Sequence, residues 1–379
     1  MERLIAILTL SLIAAAMAQV TVGVNLELSG RFAAIGTSTL QGIEVALAQI
    51  DTDIELSICD NSISVEGSVA CAKRFVDEGV VAVLGAISSS MSIPAAEVLQ
   101  DAGIIMISTS STNPATTQIG DFIFRMAYTD DFQGKVAARY AFRDLGGSSA
   151  IVFRQQDDDY SFGLAGFFVA EFTALGGETV VVYFVANTVD FIAQINDVLG
   201  GGYDIIYYSG FCAEGAALVP ALKQAGFTQQ ILGADASDDS QCPAGGGEAF
   251  DGFLFTGLGG PEVLAGDAAQ RAEEFQSFFH AAFPDATDFN GFTLAGADSL
   301  NVIAEAVEQS GDMASIDTRI VAWELAGFSA FAGVSGEITY AGTDGTPSDR
   351  TIAFFEYSVP ADNDQGWDKS TKFGIGTGQ

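Results

Sequence analysis

Residues Val80-Val81-Ala82-Val83-Leu84-Gly85-Ala86-Ile87 carry no polar side chain, and the run ends on Ser88-Ser89-Ser90. Residues 92–103, SIPAAEVLQDAG, then read as a helix. A short run that is apolar throughout suits a strand buried on both faces, because successive side chains point to opposite sides of a sheet. Three hydroxyls at the exit from such a strand need partners, and those partners bear on function.

The same strand-then-helix order recurs on both sides of this stretch. Before it come a strand at 19–28, a glycine-containing loop, a helix at 37–50 with Leu40, Ile43, Leu47 and Ile50 at helical spacing, a strand at 54–60, and a helix at 66–79 stopped by Gly79. After it come a strand at 104–110 and a second series: helix 130–147, strand 149–156, helix 162–177, strand 178–186, helix 190–202, strand 203–211, helix 214–227 and strand 229–236. Apolar strands separated by helices predict parallel sheets covered on both faces. The last third changes order, with a strand at 250–258, three helices at 267–283, 293–311 and 315–328, and closing strands at 336–341 and 350–358. The fold class is therefore α/β, with two doubly wound lobes in series and no Pro/Ser-rich linker between them. Residues 361–379, rich in Asp, Gly and Lys, read as a loosely held tail.

Length and charge narrow the function. The chain has 379 residues, enough for two cores, and 49% of them are hydrophobic, so a packed structure is expected. Lys and Arg total 15 against 49 Asp and Glu, a formal charge of −34. Such a surface repels phosphate backbones and anionic lipid, which argues against nucleic acid as a partner. At the N-terminus, Arg3, the apolar run 4–16 and the small-x-small site Ala16-Met17-Ala18 read as a secretory signal peptide, residues 1–18, cut after Ala18. No Cys follows the cut, so no lipid anchor is indicated, and a soluble, exported chain is expected. Cys59, Cys71, Cys212 and Cys242 suit disulfides in such a chain. Of the three possible pairings, the local one is preferred, Cys59–Cys71 with Cys212–Cys242. No CxxC occurs, and His280 stands far from the cysteines, so a metal site is not supported.

Open parallel sheets bind ligands beyond the carboxyl ends of their strands. At those ends the first series places Ser29, Gly30, Gly36, Ser88–Ser90 and Ser108–Thr112, which are donors suited to an anion. The second series places Gln155, Gln156, Tyr160, Gly210, Phe211 and Asp235, which suit a cation and an apolar or flat body. Each serine taken singly reads as a helix N-cap; the set, distributed over both series, fits a zwitterion. The Asp157–Asp159 run reads as a solvated loop, since the Gly and distal Glu of a calcium loop are missing.

Residues 20–46, 59–114, 155–165 and 205–211 resemble the type I periplasmic binding proteins of branched-chain amino-acid ABC transporters, with 79–114 the most specific part. The resemblance covers essentially the whole chain after residue 18. It implies two lobes joined by a three-strand hinge, residues 19–126 with 259–347 and residues 127–258 with 348–360, closing over an amino acid that is passed to a membrane ABC permease. It implies that Ser89 and Thr112 hold the α-carboxylate and that the Ser110 carbonyl meets the α-ammonium. It further implies that Asp235 pairs with that ammonium, and that Tyr160 and Phe211 close over the ligand. The branched-chain proteins commonly carry Glu at the position of Asp235, often Tyr at that of Ile35, and in places Cys at that of Ser88. Ile35, Ile87, Phe211 and Phe289 point to an apolar side chain. No cofactor is implied, and a monomer is expected.

An enzyme on this architecture lacks support, because GxSxG, Walker A and GxGxxG after the first strand are all missing. A sensor domain would pass occupancy to a membrane partner, but no such segment follows. An amide, urea or aromatic acid would leave Asp235 without a cation to pair.

Overall fold

The computed structural model describes residues 19–311, 316–359 and 368–376. The expected signal peptide, residues 1–18, lies outside them. Strands β1 (Val20–Leu26), β2 (Ile54–Asp60), β3 (Ala82–Gly85), β4 (Ile105–Ser108) and β5 (Ile123–Arg125) form a parallel sheet in the order β2-β1-β3-β4-β5. Every residue of β3 and β4 is buried, as their unbroken apolar runs require. Helices α1 (Ala33–Leu47), α2 (Val65–Glu78) and α3 (Ser89–Ala102) join the first four strands. Ser64 caps α2 by accepting from the Gly67 N–H at 3.0 Å, and Gly79 ends it in the left-handed region at φ 68°.

The chain then crosses to a second sheet. Its elements are α4 (Asp130–Arg139), β6 (Ser149–Gln155), α5 (Asp159–Ala174), β7 (Glu178–Phe184), α6 (Ile192–Val198), β8 (Ile205–Tyr208), α7 (Cys212–Gln224), β9 (Gln230–Gly233), α8 (Gln241–Gly246) and β10 (Leu254–Gly257). It crosses back for α9 (Gly266–Ala282), α10 (Gly291–Ser310), α11 (Thr318–Ala326) and the hairpin β11 (Phe331–Gly333) and β12 (Gly336–Ile338). Residues of α9, α10 and α11 share a core with β1, β3 and β4. α10 lies so close to α1 that a Cβ at Gly42 would stand 2.0 Å from the Thr293 carbonyl oxygen. A third crossing leads to β13 (Thr351–Ser358) and β14 (Asp368–Gly376). The second sheet runs β14-β13-β10-β9-β8-β6-β7, antiparallel at β13 and β14 and parallel elsewhere.

Within the stretch read from composition as a loosely held tail, the described residues 368–376 form β14, which pairs along all of β13, from Thr351↔Gly376 to Ser358↔Asp368. Edge pairing is made by backbone groups, so a polar composition does not prevent it. The disulfides join Cys59 to Cys71 and Cys212 to Cys242.

Strand order reverses between β1 and β3 in the first sheet and between β6 and β8 in the second. At such switch points the flanking loops diverge and leave a crevice beyond the strand ends. Residues from both sets of strand ends line one common space, and the chain crosses between the lobes three times.

Candidate functional site

A narrow space lies between the two sets of strand ends. The first lobe lines it with Phe32, Ile35, Ile87, Ser88, Ser89, Ser110, Thr112 and Phe292, and the second with Tyr160, Phe211, Asp235 and Ala236. The structure brings together Ile35, Ile87, Ser88, Ser89, Ser110, Thr112, Tyr160, Phe211 and Asp235. Phe289 is not among the lining residues: its ring packs against Phe275, Phe279 and His280. Phe292, three residues further on at the start of α10, takes that place. His280 is exposed on α9, away from the space.

The three serines after β3 go to three partners. The Ser88 hydroxyl donates to Glu27 Oε1 at 3.1 Å rather than capping α3. Ser89 Oγ accepts from the Asn113 N–H at 3.2 Å. The Ser90 hydroxyl crosses the cleft and donates to Asp158 Oδ2 at 2.9 Å. Asp158 is therefore buried, not part of a solvated loop, and its Oδ1 caps α5 by accepting from the Ser161 N–H at 2.8 Å. Ser110 donates to the Ile87 carbonyl oxygen at 3.2 Å, tying the loop after β4 to the loop after β3.

Buried charges hold both of these loops. Glu27 follows β1 and accepts from the N–H groups of Ile87 at 3.1 Å and Ser88 at 3.0 Å. Arg125 ends β5 and donates to the carbonyl oxygens of Ser111 at 2.7 Å and Asn113 at 2.9 Å. Burial lowers the Arg125 pKa to about 10, so the guanidinium stays charged beneath Thr112. Neither residue was singled out from sequence; a carboxylate at the end of an apolar strand was the available signal for Glu27.

Across the space, Asp235 Oδ1 accepts from Tyr160 Oη at 2.5 Å and Gln133 Nε2 at 2.8 Å. Burial raises its carboxyl to about pH 6 against these two bonds. Asp130 lies nearby, fully buried; desolvation pushes its carboxyl well up, and the Thr112 hydroxyl faces it without reaching hydrogen-bond geometry. The rings of Phe32 and Phe211 meet across the cleft at 4.4 Å, and Phe211 also packs on Tyr160 at 5.4 Å. Outside them, Arg31 pairs with the buried Glu214 of the other lobe at 2.6 Å and lies over both phenyl rings. One wall thus presents hydroxyls and helix N-terminal N–H groups, the opposite wall presents a carboxylate, and the sides are aromatic and aliphatic.

The family of periplasmic binding proteins matches residues 19–364. An amino acid binding protein of Pseudomonas aeruginosa is 30% identical over 78% of this chain and 80% of its own. Leu/Ile/Val-binding protein homolog 3 of Brucella melitensis is 27% identical over 88% of this chain and 90% of its own. The crystal structure of the leucine binding protein LivK from Thermotoga maritima is 28% identical, with a TM-score of 0.86 over 94% of this chain and 98% of that one. These are substrate-binding proteins rather than enzymes. The chain belongs to the periplasmic binding protein family.

Proposed function

We propose that the protein captures an amino acid with an apolar side chain between its lobes and delivers it to an ABC permease. It works as a monomer in the periplasm after removal of residues 1–18. The reading is carried by one observation: donors on one wall of the space face a buried carboxylate on the other. Ser89 and Thr112 hold the ligand carboxylate with hydroxyl and N–H groups, and the Ser110 carbonyl and Asp235 receive its ammonium. Phe32, Ile35, Ile87, Phe211 and Phe292 surround the side chain, and none offers it a polar partner. Ligand docks first on the serine-bearing lobe. Closure then brings Tyr160, Phe211 and Asp235 over it, and the Arg31–Glu214 pair forms as the cleft shuts.

Closing on a zwitterion buries two charges, which is favourable when each is fully hydrogen-bonded. Asp235→Ala leaves the ammonium buried and unpaired, an expected cost of about 3–5 kcal/mol, or about two to four decades of affinity. Calorimetric titration with leucine, isoleucine and valine tests the reading. Wild-type protein is expected to bind at least one of them, with heat lost in Asp235→Ala. Equal affinities in the two proteins would remove Asp235 from the site.

A further inference from the structure

Glu27 is fully buried at the β1/β3 switch point and lines no part of the ligand space itself, yet it takes three hydrogen bonds from the loop that does. Its Oε2 accepts from the Ile87 N–H at 3.1 Å, and its Oε1 accepts from the Ser88 N–H at 3.0 Å and the Ser88 hydroxyl at 3.1 Å. Its own backbone is fixed as well. α1 approaches so closely that a Cβ at Gly36 would stand 2.0 Å from the Glu27 carbonyl oxygen. A carboxylate with no donor of its own can satisfy all three donors of the loop at once, which an amide or hydroxyl cannot do.

The consequence lies one residue further on. A helix leaves its first N–H groups without intrahelical acceptors. Glu27 takes up the two N–H groups immediately before α3, which leaves the N–H of Ser89, the first residue of the helix and a lining residue of the space, for a ligand anion. With Ile87 and Ser88 fixed, Ser89 is held at the wall of the space.

We propose that Glu27 is the positioning residue of the carboxylate-holding half of the site: it acts through the 86–90 loop and never touches ligand. This rests on the amino-acid reading given above, and the test separates the two. Glu27→Gln keeps the shape but turns an NH₂ group toward one of the loop donors, so at least one backbone N–H loses its acceptor. In ligand-free protein, hydrogen exchange of peptides covering 85–92 is expected to speed up about tenfold or more, with the second lobe unchanged. In leucine titrations of the same variant, Kd is expected to rise by about tenfold or more. Ser88→Ala, which removes the hydroxyl bond and keeps both N–H bonds, is expected to show a smaller change in both readouts and covers the case in which Glu27→Gln fails to fold. Unchanged exchange at 85–92 overturns the role of Glu27 whether or not leucine binds. Unchanged or tighter leucine binding by Glu27→Gln overturns it too, since that result means the buried charge opposes the ligand carboxylate more than it orders the loop. Failure of wild-type protein to bind leucine, isoleucine or valine counts against the amino-acid reading alone, and the exchange result still decides the role of Glu27.

Discussion

Asp235 gives the site a pH dependence with two opposite signs. Burial in the closed cleft raises its carboxyl to about 6, above the value of about 3.9 for an unfolded Asp. The folded chain therefore binds more protons than the unfolded chain between about pH 4 and 6, and this contribution to stability is lost as pH rises through 6. Asp239, also raised to about 6 by burial, acts in the same direction. An ammonium needs the ionised form of Asp235, so ligand affinity runs the other way: it is full above pH 6 and falls as the carboxyl protonates. Melting curves at pH 5 and 7.5 check both signs. The ligand-free protein is expected to melt higher at pH 5, while leucine affinity there falls about tenfold, as one pKa unit requires. In Asp235→Asn the pH dependence of affinity is expected to vanish. Leucine binding that tightens on acidification would mean that Asp235 does not meet the ammonium.

At the level of elements, the second lobe builds its half of the site from two loops tied by a covalent bond. Phe211 immediately precedes Cys212, the first residue of α7, and Asp235 begins the turn that leads to Cys242 in α8. Cys212 Sγ lies 3.5 Å from the Ala236 carbonyl oxygen and 3.7 Å from that of Asp239. The Cys212→Ala/Cys242→Ala pair is expected to lower stability by about 3–4 kcal/mol on chain-entropy grounds for a separation of 30 residues. It is also expected to speed leucine dissociation, because the Phe211 and Asp235 loops then move independently. Cys59→Ala/Cys71→Ala is the control, since that bridge joins β2 to α2 away from the space; stability is expected to fall while the dissociation rate stays the same. Equal dissociation rates in both variants would confine the second bridge to stability. The alternation of strands and helices was legible because buried parallel strands must be apolar along their whole length. β5 was not, being three residues that end in a buried Arg, and neither was β14, whose pairing is a matter of backbone. Ser88, Ser89 and Ser90 look alike in sequence, and only the packing of β1 and of the opposite lobe separates a loop anchor from a cavity wall and a cross-cleft contact.

For the whole molecule, the charge of −34 sets how the two lobes behave in salt. Seven ion pairs occur among the described residues, so at most a small share of the 49 acidic side chains has a basic partner in direct contact. The remaining charges repel across the surface and, where the lobes approach, across the cleft. Five of the seven pairs involve partly exposed side chains whose contribution is small, about 0–1 kcal/mol each, so screening them costs little. Screening the repulsion yields more, because the Debye length shrinks from about 10 Å at 0.1 M salt to about 3 Å at 1 M. The melting temperature is therefore expected to rise as NaCl is raised over that range. Leucine affinity is expected to hold or tighten, since closure brings two acidic lobes together while the Arg31–Glu214 pair and the Asp235 contact are sheltered from solvent. A melting temperature that falls with NaCl would mean that attractive pairs, not net repulsion, dominate the electrostatics of this surface. Leucine affinity that fell with salt while the melting temperature rose would locate the weakness at the ligand contacts, because only an exposed charge pair between ligand and protein would be screened in that way.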